Sequence, residues 1–532
     1  MKKFLSVVLA LVLVFSLASC GGGILSEAEN IVNSAENGGQ GNGSGQSGPS
    51  GPVSDPGNLA GAFVSDVMMQ GNGLSDFDLK FLKLENGAEN KIYSPLSIKY
   101  ALQMLAEASG GDSRAQIDGV IGKYASRKYV NSANLSLANA MFIRDSFAAS
   151  VKSDYTAKLK SAYDADVVTD SFASPDPLNN WVKDKTLGLI PKAVDDLTGL
   201  DYVLVNALAI DMEWVKKIQP ETGSYSAYLK NESYASGDPS WPQSYGLWVG
   251  PLMAMGLHRL EFAGAKAANS VQIAAAANKY DIISALGEDN IRNTVLEEYK
   301  KYKAGGGWEY KPFDIEEYMA DLKGNYGQIS SSTDFLFHDD DNVKMFAKDL
   351  KTYDGATLQY VGIMPKAMPL AAFIEASDAG TINTLLSGLK PIEASSFEEG
   401  YLTIIKGYIP VFSFDYELKL KQDLMDIGIT DVFDAQKADL SGLSTSQSYI
   451  GTAVHKATID FSNDGIKAGA VTAMGGLGDA GPGFEYYWEV PVKRIDLTFN
   501  QPFMYLIRDK ATGEVWFTGT VYQPTEYTGP VW

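Results

Sequence analysis

The segment His455-Lys456-Ala457-Thr458-Ile459-Asp460-Phe461-Ser462-Asn463-Asp464-Gly465-Ile466-Lys467-Ala468-Gly469-Ala470-Val471-Thr472-Ala473-Met474 runs directly into Gly475-Gly476-Leu477-Gly478-Asp479. Its first part mixes β-branched and aromatic residues, as a strand does. Asn463-Asp464-Gly465 is a turn signal. From Ile466 to Ala473 every residue except Lys467 is small or β-branched. In an extended chain Ile466, Ala468, Ala470 and Thr472 share one face, and Lys467, Gly469, Val471 and Ala473 the other. Such small side chains fit a crowded sheet, yet the glycine-rich continuation belongs to an exposed loop. The segment therefore has the makings of both a loop and a strand.

Composition narrows the function classes. In 532 residues, 45% are apolar and 20% charged, the profile of an ordinary globular protein. A net charge of −21 argues against nucleic-acid binding, which requires a basic face. Only three histidines are present, His258, His338 and His455, and one cysteine, so zinc sites built from these residues are not expected. The run His338-Asp339-Asp340-Asp341-Asn342 lacks the ligand spacing and turn glycine of a calcium loop and reads as a solvated loop. No metal and no cofactor are expected.

The lone cysteine is informative by position. Met1-Lys2-Lys3 is basic, Phe4–Leu17 is almost wholly apolar, and Leu17-Ala18-Ser19-Cys20 follows. This is the layout of a secretory signal peptide. Its end resembles the bacterial lipobox, which implies a lipid on Cys20 and a protein anchored to the cell envelope, facing the periplasm or the exterior. Residues 21–60 are rich in Gly, Ser, Asn and Gln and read as a flexible tether.

The folded part begins near residue 61. Ser94-Pro95 supplies a helix cap and first turn, and Ala101, Leu102, Leu105 and Ala106 form an apolar helical stripe. Tyr202–Ile210 reads as a buried strand. The order of short segments resembles the serpin family: Ser94-Pro95-Leu96-Ser97-Ile98, Ala101-Leu102-Gln103-Met104-Leu105, Ala138-Asn139-Ala140-Met141-Phe142, Leu178-Asn179-Asn180-Trp181-Val182 and Val203-Leu204-Val205-Asn206-Ala207 with Trp214. The likeness continues in Leu358–Pro365, Ile427-Gly428-Ile429-Thr430-Asp431-Val432-Phe433, Val454-His455-Lys456-Ala457, Phe499-Asn500-Gln501-Pro502-Phe503 and Phe517-Thr518-Gly519. It covers 63–215 and 343–524. Between them, 216–342 departs from the pattern and reads as a folded, helical insertion: Ile291, Val295, Leu296 and Tyr299 have amphipathic helical spacing, and Val271–Leu286 reads as helix.

The resemblance implies an α+β serpin-like fold. It has a large central mixed β-sheet, two further sheets, surrounding helices and an exposed reactive loop. It divides the chain into a serpin domain at 61–215 and 343–526, with the loop at 465–495. It implies a monomeric protease inhibitor acting as a suicide substrate. A serine or cysteine protease cleaves the loop, is held as an acyl-enzyme, and is carried along as the loop inserts into the sheet. The inserting hinge would be Gly465, Ile466, Lys467, Ala468, Gly469, Ala470, Val471 and Thr472. Asn463 stands in place of the family's hinge glutamate and Ile466 in place of a Thr or Ser. Ser94, Ser97, Asn179, Asn206 and His455 would control opening of the sheet, with Trp214 nearer its top. The alternative is a non-inhibitory serpin-fold cell-surface binding protein whose loop is only a substrate. An enzyme has less support: no Gly-x-Ser-x-Gly elbow occurs, and His455 lies in a strand.

The scissile bond is placed by length. Counting from Gly465 by the family's spacing leads to Asp479–Ala480. Counting back from Phe503 leads to Pro491, so the loop is about twelve residues longer than the family's. A strand advances about 3.3 Å per residue, and slack before the cut would weaken the pull on the protease. The surplus is therefore expected after the cut. Asp479 is the favoured residue before the bond and Leu477 the second choice, within Leu477, Gly478, Asp479 and Ala480.

Overall fold

A computed structural model describes residues 7–19, 73–122, 124–214, 257–277, 282–325, 335–352, 355–391, 398, 401–461, 484, 486 and 492–528. Three sheets and a set of helices make up an α+β fold. The six-stranded sheet has the order β13 (Phe412–Leu418), β14 (Ser448–Phe461), β1 (Val7–Ser19), β5 (Leu200–Met212), β3 (Leu135–Arg144), β4 (Asp166–Asp170). The seven-stranded sheet has the order β11 (Lys390–Pro391), β8 (Phe335–Asp339), β9 (Val343–Asp349), β10 (Leu358–Pro365), β16 (Phe503–Asp509), β17 (Val515–Val521), β2 (Lys91–Tyr93). The four-stranded sheet has the order β15 (Val492–Asp496), β12 (Leu402–Pro410), β7 (Ala268–Ala277), β6 (Leu257–Leu260).

The strands follow from their patterns. Residues Tyr202–Ile210 of β5 are buried without alternation, as expected where both faces of a sheet are covered. Gly519 of β17 faces Ile92 of β2 so closely that a Cβ there would collide with the Lys91 carbonyl and the Tyr505 hydroxyl. That contact explains the Phe517-Thr518-Gly519 match. Helices α1 (Asp76–Leu84), α2 (Pro95–Ala108), α3 (Gly111–Ile121), α4 (Ser153–Tyr163) and α5 (Asp176–Lys185) precede β5 or flank the strands around it. α2 is buried almost all round, the mark of a core helix. It starts as its sequence demands: Pro95 takes the first turn and the Ser94 hydroxyl accepts the Ser97 N–H at 3.0 Å.

β1 is the strand the sequence did not announce. Residues expected to form a signal peptide lie in the middle of the large sheet, antiparallel to both β14 and β5, with Leu13 opposite His455 on one side and Asn206 on the other. The Val-, Leu- and Phe-rich run that suits a leader also has the composition of a central strand, and periodicity alone does not separate the two. Cys20 and the 21–60 tether lie outside the described residues.

The expected insertion is smaller than 216–342. Ala268–Ala277 is strand β7 and pairs with β12, so the helical reading of Val271–Leu286 holds only for α6 (Ile282–Leu286). The alanine-rich run favours helix locally, but the ladder to β12 and the burial of Val271 and Ile273 override that preference. β8 also belongs to a main sheet. The helical part is α6, α7 (Glu288–Ala304) and α8 (Ile315–Asn325), which share a separate core of Ile282, Ile291, Val295, Met319 and Leu322. The aspartate run after β8 forms the β8–β9 turn, where Asp340 Oδ1 accepts the Asn342 and Val343 N–H groups at 2.8 Å each. These bonds hold the Asp340 carboxyl below its usual range. Three further helices, α9 (Leu370–Ala376), α10 (Ala379–Ser387) and α11 (Leu420–Asp426), lie in the C-terminal half.

Candidate functional site

Two strands that are far apart in sequence, β5 and β14, face each other across β1. Both run antiparallel to it, each over twelve residue pairs with one register shift near the Ser19 end. The sheet thus has a strand-wide slot between β5 and β14, floored by α2. The site is this slot together with the polar groups between it and the helix.

Burial makes these polar groups selective. His455 on β14 is completely buried, and its Nε2 accepts the Ser94 backbone N–H at 3.1 Å. An accepting Nε2 places the ring proton on Nδ1, which has no hydrogen-bond partner among the described residues. Desolvation holds the imidazole at about 3 against its ordinary 6.5, so the ring is neutral at physiological pH. His455 therefore carries no charge into the sheet and acts as an acceptor that ties β14 to the start of α2.

A second chain of bonds ties α2 to the other side of the slot. The Ser97 hydroxyl donates to Asn206 Oδ1 on β5. Asn206 Nδ2 donates to Asn139 Oδ1 on β3 at 2.8 Å, and Asn139 Nδ2 donates to the Tyr163 carbonyl at 2.8 Å. Ser94, Ser97, Asn139, Asn206 and His455 are all buried. The N-terminal turn of α2 thus holds both walls of the slot: β14 through Ser94, β5 through Ser97. Any separation of the two strands must break or rearrange this set, and buried groups left unpaired are costly.

Asn179 does not join that set. It sits on α5, where its Oδ1 accepts the Ala193 and Val194 N–H groups at 2.8 and 3.1 Å and its Nδ2 donates to the Val194 carbonyl at 2.9 Å. It pins the chain that follows α5. Asn139 takes the place expected for it in the network. Its signal was available in the sequence: a single amide between alanines in a mostly apolar strand.

Trp214 lies beyond the end of β5 and is wholly buried. Its ring meets Phe461, the last residue of β14, edge-on at 5.8 Å, and Tyr360 at 6.1 Å. Phe461 in turn stacks on Phe412 at 4.8 Å. The point where the chain leaves the sheet toward the hinge is thus an aromatic cluster. The hinge residues 465–472 and the scissile candidates Leu477, Gly478, Asp479 and Ala480 lie outside the described residues. Lys493 and Arg494 are part of β15, opposite Thr403 and Ile404.

The serpin (serine protease inhibitor) family model matches residues 75–236 and 327–524. The chain is a serpin. An uncharacterised serpin-like protein of Methanosarcina acetivorans is 23% identical over 478 residues, covering 85% of each chain. A leukocyte elastase inhibitor of Xenopus tropicalis is 23% identical over 477 residues, covering 84% of this chain and 97% of the relative. Among solved structures, the thermophilic serpin tengpin in its native state is 21% identical with a TM-score of 0.53, covering 84% of this chain and 92% of tengpin. Human thyroxine-binding globulin complexed with its ligand gives 15% identity and a TM-score of 0.53, covering 85% and 97%. At these identities the solved structures speak for the fold. This serpin's fold leaves residues 237–326 outside the family match, and the helices α6–α8 fall inside that stretch.

Proposed function

We propose that this serpin is a suicide-substrate inhibitor of a serine or cysteine protease, acting from the cell envelope through a lipid on Cys20. The supporting observation is the slot: β5 and β14 each present a full ladder edge to an antiparallel strand between them. The loop that follows Phe461 leaves β14 at a turn signal, so on folding back it would run antiparallel to β14, the direction the slot accepts.

In this reading the protease nucleophile attacks the carbonyl of the residue before the scissile bond, within Leu477–Ala480. The C–N bond breaks, the new amine leaves with the C-terminal part, and the acyl-enzyme ester or thioester remains. Residues from Ile466 onward then enter the slot. The free energy comes from ladder hydrogen bonds and buried small side chains, and it is stored as long as the loop stays outside. His455, Ser94, Ser97, Asn206 and Asn139 hold the walls in register while the strand enters. In the full-length chain β1 fills the slot, so removal of residues 1–19 is the step that makes room for the loop.

The test is incubation of the chain starting at Cys20 with a panel of serine and cysteine proteases, followed by denaturing electrophoresis. A denaturant-stable band at the summed mass is expected. The full-length chain with residues 1–19 retained should give no such band. Cleavage of the processed chain without a stable band for any protease favours the non-inhibitory binding protein. Sequencing the released C-terminal fragment locates the cut; a start after Tyr487, Lys493 or Arg494 contradicts the Leu477–Ala480 placement.

A further inference from the structure

Two features of this chain depart from the serpin pattern: a helical insert, and a loop about twelve residues too long. The structure brings them together. Phe484 lies on the insert, with its ring 5.2 Å from Tyr299, 5.0 Å from Phe313 and 5.5 Å from Tyr302, two of the three contacts edge-on or nearly so. Two residues on, the Tyr486 carbonyl accepts the Tyr318 hydroxyl at 3.1 Å. Phe484 and Tyr486 both pack against the small core of α6–α8. We propose that the helical insert is a dock for the distal end of the reactive loop, one that sets the loop's working length and holds the uncleaved loop out of the sheet.

The reasoning is geometric. The insert is a unit of 44 residues with five buried core side chains, too little to order itself strongly without a further partner. Phe484 supplies that partner by closing the ring cluster of Tyr299, Tyr302 and Phe313. Arg292 clamps the same unit from outside, pairing with Glu288 on its own helix α7 at 2.9 Å and with Glu316 on α8 at 2.5 Å. The anchor divides the long connection. Between Phe461 and Phe484 lie 22 residues, and between Tyr486 and β15 only five. The anchor therefore sits past the candidate bond, four to seven residues beyond Leu477–Ala480.

Docking discriminates between the uncut and the cut loop. A strand from Ile466 to Gly478 advances about 40 Å. Five residues separate Gly478 from Phe484, and even fully extended the six steps between them span at most about 22 Å. The chain enters and leaves the dock at the Leu402 end of β12, where β15 begins and β7 ends, and not at the Pro410 end that runs on into Phe412 opposite Phe461. While Phe484 stays on its rings, Gly478 is held within about 22 Å of them, which limits how far the uncut loop can travel into the sheet. After cleavage at Leu477–Ala480 the docked part belongs to the other fragment, and nothing restrains the strand. The dock thus opposes spontaneous insertion without slowing the productive one.

This inference rests on the inhibitor reading for its consequence but not for the contact, and two measurements separate them. Hydrogen exchange on the full chain reports the dock alone. Phe484→Ala should raise exchange in α7 and α8 by tenfold or more, Phe484→Leu by much less, and Tyr318→Phe by a few-fold. Unchanged exchange in Phe484→Ala overturns the dock. The second measurement warms the processed chain and follows its conversion to a heat-stable form, read by melting and therefore independent of any protease. Phe484→Ala should convert at least tenfold faster than the unmodified chain, with Phe484→Leu restoring most of the delay. Equal rates overturn the restraining role. Failure of every protease to form a complex would sink the inhibitor reading alone, since both readouts stand without one.

Discussion

The two ends of the connection between β14 and β15 are held by different physics. At the proximal end the chain leaves a fourteen-residue strand that is paired on both sides, buried against α2, and tied by His455 to the Ser94 amide. At the distal end one phenylalanine and one backbone carbonyl rest on a small helical unit. The proximal end can open only by breaking a buried polar set and parting a sheet. The distal end can release by exposing one ring. The proposed inhibitor mechanism needs this inequality: a fixed hinge and a removable restraint.

The strongest way to break the contrast is to make the proximal end refuse the loop. Ala468→Glu or Ala470→Glu would carry an unpaired charge into the sheet, at a cost far above that of any surface change. The expected outcome is complete loss of the denaturant-stable complex and of the gain in heat stability after cleavage, measured by electrophoresis and calorimetry, with cleavage itself retained.

Next in size is Asn206→Ala. It removes the acceptor of Ser97 and the donor to Asn139, leaving both buried without those partners. About 2–4 kcal/mol of stability should be lost, read from the denaturant midpoint. Asn179→Ala, which touches only the Ala193–Val194 turn, should leave the rate of loop insertion unchanged while lowering stability by a smaller amount.

The pH dependence sharpens the same comparison. His455 is neutral in the fold, with its pKa depressed to about 3 from 6.5. Its contribution to stability is full above about pH 6.5 and declines as pH falls toward 3, by at most about 1.4 kcal/mol per pH unit. Asp423 on α11 works in the opposite sense. Burial first, then the nearby Glu85 and Asp426 carboxylates, push it up to about 7, so its contribution is full in acid and is lost as pH rises from about 4 to 7. The two contributions have opposite signs. His455→Gln should therefore make stability rise on acidification from pH 7 to 5, and Asp423→Asn should make it fall, both followed by melting at constant ionic strength. Parallel curves for the two variants would contradict the assignment.

The smallest effect belongs to the outside of the dock. Arg292→Met removes ion pairs to Glu288 and Glu316 that solvent screens. No measurable change in the melting of the whole protein is expected, in contrast to the tenfold exchange effect of Phe484→Ala. An equal effect from both would mean that charge, and not ring packing, holds the insert.

Much of the architecture is legible in the chain alone because it rests on local rules. Ser94-Pro95 starts a helix by capping and fixed φ, Tyr202–Ile210 is a strand because all of it but Asn206 favours burial, and ordered short segments of this kind specify the serpin fold. Local rules could not foresee the pairing of Val7–Ser19, because one apolar composition serves a leader and a central strand alike and its place between β14 and β5 depends on the rest of the sheet. Nor could they separate helix from strand in Val271–Ala277, where the partner β12 lies more than a hundred residues away. Asn139 and Asn179 are chemically alike, and which of them meets Asn206 is fixed by strand register. The dock is the furthest from local reading. Phe484 and Tyr299 are unremarkable residues in their own neighbourhoods, and their contact exists only because the tertiary fold carries β15 and the helices that follow β7 to the same end of one small sheet.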